Sequence, residues 1–147
     1  MSNWTTITAD DLKAIGHGNV VDRAQTAATG GKDPVAEAIQ DAVARVRRAI
    51  TGSSHDADPA KVPNSLKAVA VRKALFVLME RIRMPLSLDQ QKTRDADNSD
   101  LLRISDKKIP VERPDVDGGT AEMAPMGGID AVNVPRRLTG RDRCSGL

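Results

Sequence analysis

The chain has 147 residues, 29% of them charged and 39% hydrophobic, with 22 basic against 20 acidic side chains and a net charge of +2. That length suits one domain, and mixed charge so near balance argues against the concentrated basic surface of a dedicated nucleic-acid binder. Trp4 and Phe76 are the only aromatic residues; this argues against single-strand binding by base stacking, and a core of Val, Leu, Ile and Ala suits helices more than a sandwich.

A single cysteine, Cys144, cannot form an intrachain disulfide and fits a reducing compartment. The opening MSNWTTITADDLK lacks the basic start and apolar run of a signal peptide. No apolar run approaches the roughly 18 residues of a membrane span. The expectation is a soluble protein made in the cytoplasm.

Residues 8–16 read as a short helix. Thr8 is its cap, Asp11 the partner in a loose capping box, Asp10 and Asp11 favour the positive helix end, and Gly16 is placed to close it. His17 then falls between two glycines and reads as a turn residue. Residues 19–32 are ambiguous between a helical turn or two and a connector. Their Gly31-Lys32 pair fails as a phosphate loop, because Thr26 stands where the first glycine is needed and Asp33 where Ser or Thr should follow the lysine.

Residues 34–51 give the clearest amphipathic helix. Asp33 caps it, Pro34 opens it, and Val35, Ile39, Val43, Val46 and Ile50 recur at three- and four-residue spacing beside Ala42. Glu37, Asp41, Arg45 and Arg48 lie off the stripe, with pairing expected from Glu37 and Asp41 to Arg45. Arg45, Arg47 and Arg48 could touch phosphates, although a solvated face is the commoner reading. The turn-rich loop 52–63 holds His55, Asp56 and Asp58, too few and too local to make a strong metal site.

The stretch from Pro63 to Met84, PNSLKAVAVRKALFVLMERIRM, is the organising element. Its apolar residues fall on nearly every face of a helix, so it should be wrapped by other elements. Pro63 suits the first turn and Pro85 stops the helix. Ser87 with Gln90 is a capping box for a further helix from Leu88 towards Asp106, polar at first and then carrying Leu101, Leu102 and Ile104. Within it, residues 95–106 begin like a calcium loop, but Asp100 replaces the glycine and Asp106 the glutamate that such a loop requires.

From Ile109 the chain carries Pro110, Pro114, Pro125 and Pro135 among glycines and few apolar residues. Lys108–Arg113 could pair as a short edge strand; the rest should be extended, since it cannot bury enough apolar surface to offset its chain entropy. The fold expected is therefore mainly α: a small helical bundle around one apolar central helix in residues 1–108, with room for that edge strand, and an extended Pro/Gly-rich C-terminal arm in residues 109–147. Arg136, Arg137, Arg141 and Arg143 are the arm's local basic excess and its candidate contacts for an acidic partner surface.

Several segments together resemble the small head–tail connector proteins of Mu-like tailed bacteriophages. They are ITADDLKA, DPVAEAIQDAVARVRRAI, the loop ADPAKVPNSLK leading into AVRKALFVLMERI, and NSDLLRISDKKIPVERP. The likeness covers roughly residues 4–114 and lies in the order of elements, not in a chemical signature. It implies a structural virion protein without catalysis, cofactor or metal, one subunit of a homo-oligomeric ring, a dodecamer in that family. Its implied neighbours are the portal protein on one side and a tail-side neck or tail-terminator protein on the other, with packaged DNA in the channel. It also implies location at the capsid vertex. The alternative reading is a helical nucleic-acid-associated accessory protein that uses Arg45, Arg47, Arg48 and the C-terminal arginines. An enzyme finds no support in any motif.

Overall fold

The computed structural model describes residues 2–50 and 55–115 of the chain. The protein is mainly α. The strand β1, Trp4–Thr6, leads into α1, Ala9–Leu12, which runs through a π-helical turn at Lys13–His17 into α2, Gly18–Thr26. Then come α3, Pro34–Ala49; β2, Lys61–Pro63, followed by a 3₁₀ turn at Asn64–Leu66; α4, Lys67–Arg81; and α5, Leu88–Ser105. The two strands pair antiparallel in the register Trp4 to Pro63 and Thr6 to Lys61.

Three helices, α1, α3 and α5, begin where the sequence supplies a side-chain cap. Thr8 and Asp11 form a reciprocal capping box at α1, and Ser87 and Gln90 form another at α5. The Asp33 side chain accepts from the backbone N–H of Val35 at 2.9 Å, with Pro34 in the first turn of α3. Each bond satisfies one of the backbone donors that a helix start leaves orphaned. Gly16 does not close the first helix. It takes a positive φ of 84°, open to glycine at no steric cost, and the chain kinks there and continues as α2. The ambiguous segment after His17 is therefore mostly helix, and His17 lies in the π-helical turn.

The central helix α4 is wrapped, as its all-round apolar pattern requires. It packs on α1, α2, α3, α5 and β2. Val69, Ala70, Val71, Ala74, Leu75, Phe76, Leu78 and Met79 are all buried. Its most extensive partner is α3, where the fully buried Ala38 widens the expected stripe, Ala42 is buried as expected and Ile39 is only partly covered. Pro63 is not the first residue of the helix. It ends β2, and the helix begins at Lys67.

The expected strand at Lys108–Arg113 is also absent; the described sheet is instead β1 with β2. Residues 108–115 are irregular but tied down. The indole Nε1 of Trp4 donates to the Glu112 carbonyl at 3.1 Å, the Asn3 N–H donates to Asp115 at 2.7 Å, and Ile109 and Val111 pack on the core. Side-chain and cap bonds thus replace a ladder that Pro110 could not complete. The helical unit consequently extends to Asp115, and residues 116–147 lie outside the described residues.

A basic, apolar-walled groove as the candidate functional site

Two of the polar nodes that tie the elements together are built on Arg72 and Arg47. The first is Arg72 of α4 with Asp97 of α5. The pair is bidentate, at 2.9 and 2.6 Å, and Asp97 is only 4% exposed. The hydrogen bond to Asp97 raises the Arg72 pKa above its ordinary value. A buried carboxylate needs such a partner, since burial of an unpaired charge is strongly unfavourable. The second node is Arg47 of α3. Its guanidinium donates to the carbonyls of Asp56, Asp58 and Lys61 at 2.8–2.9 Å and lies 5.4 Å from the Trp4 ring centre.

Arg47 is therefore not part of a solvated basic face. Its planar fork closes the turn that delivers β2, a geometry that a lysine cannot reproduce. The neighbouring polar residues are committed in the same way. The Asp56 and Asp58 side chains each accept a backbone N–H two residues on, and Asp56 also faces Lys61 at 3.8 Å. A ring nitrogen of His55 is 2.7 Å from the Ile50 carbonyl oxygen. No cluster of His, Cys, Asp or Glu among the described residues is arranged to hold a metal ion. The calcium-like run starting at Asp95 lies on α5 up to Ser105, where Asp95, Asp97 and Asp100 cannot converge as loop ligands.

The expected pairing of Glu37 and Asp41 with Arg45 is replaced by pairing with Arg81 at the end of α4. Arg81 reaches Glu37 at 3.0 Å, Asp41 at 3.5 Å and the Pro34 carbonyl at 3.3 Å. The antiparallel neighbour competes successfully with the in-helix partner. Arg45 and Arg48 are left without a hydrogen bond or salt bridge among the described residues.

These two arginines edge a groove between α3 and α5 whose floor is α4. One end, about 440 Å³, is lined by Arg45, Lys73, Phe76, Val77, Met84 and Arg94, with Glu80 and Asp95 also on its wall. The other, about 430 Å³, adds Arg48, Leu101 and Leu102. Arg45, Lys73 and Asn98 belong to both. Lys73 is 8% exposed, and its ammonium donates to Asn98 Oδ1 at 2.5 Å. Burial pushes its pKa down; Asp97 opposes that shift, while Arg45 and Arg94 reinforce it.

Sequence reasoning found Arg45 and Arg48 but missed Lys73 and Arg94. The available signal was the adjacent charges Arg72 and Lys73 in the middle of a helix whose neighbouring turns are apolar. The arginines expected to meet a partner, Arg136, Arg137, Arg141 and Arg143, lie outside the described residues. No helix among the described residues is long and apolar enough to cross a membrane. No family model, no curated protein and no solved structure matches the chain.

Proposed function

We propose that the protein is a structural adaptor of a tailed-phage virion. In this reading it is one subunit of a ring that joins portal to tail-side neck and continues the DNA channel. It acts by docking and carries out no chemistry. The observation that carries the reading is an exposed face of α5 that adjoins the groove, Asp95 and Leu102 lying on both. Leu88 and Leu102 are 74% and 66% exposed, about four helical turns apart and so nearly on one face.

Between the two leucines that face carries Lys92, Asp95 and Ser99, all exposed. A long helix, capped and anchored to its own core by Asp97, Leu101 and Ile104, thus turns a polar stripe with an apolar residue at each end outward. Such mixed surfaces suit contacts between subunits, and a polar helix of this kind can bridge neighbours in a ring. The segments that carry the resemblance to connector proteins fall within the described helical unit, from β1 to Pro114.

The test is a Leu88→Glu/Ser99→Glu pair, placed on that face where neither residue supports the core or lines the groove. Loss of ring formation on a portal, with thermal unfolding unchanged, is the expected result. Unchanged ring formation would remove the basis of the reading. The alternative of a nucleic-acid accessory protein loses Arg47, whose donors are committed to three carbonyls.

A further inference from the structure

Lysine is among the residues least often buried, and a buried ammonium is costly unless something compensates it. Lys73 is held at 8% exposure with a single hydrogen-bond partner among the described residues, Asn98. An ammonium has three donors, so two remain for a further acceptor. Arg45 and Arg48 stand over the same groove, unpaired among the described residues. A methionine would fill the Lys73 position at lower desolvation cost, so a charge set at the floor of this groove with donors to spare is fitted to meet an acidic group there.

We propose that the groove between α3 and α5 takes an acidic, apolar-containing segment of a protein partner. Its carboxylates meet Arg45, Arg48 and Lys73, and its apolar side chains lie on Phe76, Val77 and Leu101. This deepens the docking reading above and rests on it. The composition of the walls selects this occupant over nucleic acid. A duplex presents one negative charge per roughly 1.7 Å of axis, whereas Glu80, and Asp95 paired with Arg94 at 3.6 Å, interrupt the positive wall that a continuous polyanion would need. Discrete carboxylates can avoid those two positions. The apolar walls offer area that a phosphate backbone does not use, and the groove lacks the exposed aromatic platform on which unpaired bases stack.

The test uses the full chain and a pool of 12-residue peptides randomised among Asp, Glu, Leu, Ile, Val, Met and Gly, with oligoglutamate and a short duplex DNA as comparisons. The pool should enrich for peptides that mix acidic and apolar residues. An enriched peptide should bind at least about tenfold more tightly than oligoglutamate or the duplex, and Arg45→Glu/Arg48→Glu should weaken it by at least about tenfold. Lys73→Met should also weaken binding by about tenfold while leaving the unfolding temperature unchanged or higher, a combination that a merely structural lysine would not give. Failure of the pool to enrich, equal binding by the arginine variant, or tighter binding of the duplex would overturn the assignment. If such a failure accompanies normal ring formation on a portal, the occupant is wrong and the connector reading stands; if rings also fail, both fall.

Discussion

The Arg47 guanidinium lies over the indole of Trp4 at 5.4 Å while donating to three carbonyls of the turn that leads into β2. One side chain thereby joins the amphipathic helix, the N-terminal strand and the strand with which it pairs. Truncating it leaves three carbonyls without their donor. Arg47→Ala should cost about 2–4 kcal/mol, and Arg47→Lys should recover less than half of that because an ammonium lacks the fork. Chemical denaturation followed by fluorescence of Trp4, the chain's one tryptophan, measures both. An Arg47→Ala variant as stable as the parent would show that the turn holds itself.

Asp97 is the buried half of the α4–α5 pair, and Arg72 remains partly solvated. Asp97→Ala should therefore destabilise by about 2–4 kcal/mol, largely through the unmatched guanidinium and the space left beside it. The double change Arg72→Met/Asp97→Leu should be clearly milder than the single one, since apolar replacements of a buried pair are often neutral. Equal losses in the two variants, measured by urea unfolding, would contradict that account.

Both capping boxes, the Asp33–Pro34 start of α3 and the wrapped character of α4 were legible because each signal lies within a few residues of sequence. The failures were non-local. Pro63 carries the local mark of a helix start, but its place is set by pairing with Trp4 across the chain. Gly16 carries the mark of a helix end, yet its positive φ only kinks a helix that resumes at Gly18. Arg47 looks identical to Arg45 and Arg48 until Trp4 and the 56–61 turn are folded against it. The groove was half legible: its arginines lie on a visible polar face, whereas its depth depends on how α5 returns across α4.

Asp11 is pulled two ways. Burial alone would raise its pKa, but hydrogen bonds from Lys67 and from the Thr8 backbone and hydroxyl outweigh it and hold the carboxyl below its ordinary value of 3.8. Over the window between the depressed folded value and that ordinary value, the unfolded chain binds more protons. Stability from Asp11 is thus fully present above the window and is lost as pH falls through the folded value. Thermal scans from neutral to acidic pH should show part of the acid destabilisation missing in Asp11→Asn. Superimposable pH profiles would contradict this.

Arg83 and Lys107 follow the ends of α4 and α5 with positive φ of 53° and 60°. In each case the next N–H reaches back to close the helix, Met84 to Met79 and Lys108 to Arg103, both at 2.8 Å. Glycine prefers this position because it lacks the steric cost of a Cβ. Arg83→Gly and Lys107→Gly should each stabilise by about 0.5–1 kcal/mol. A fall in unfolding temperature for either would mean that its side chain makes compensating contacts.

The central claim, that this chain works as a ring-forming connector subunit, is tested most directly by the mass of the purified protein with and without a portal ring. The account predicts a stoichiometric ring of copies bound to the portal. A monomer or dimer that ignores the portal and instead binds duplex DNA tightly would contradict it.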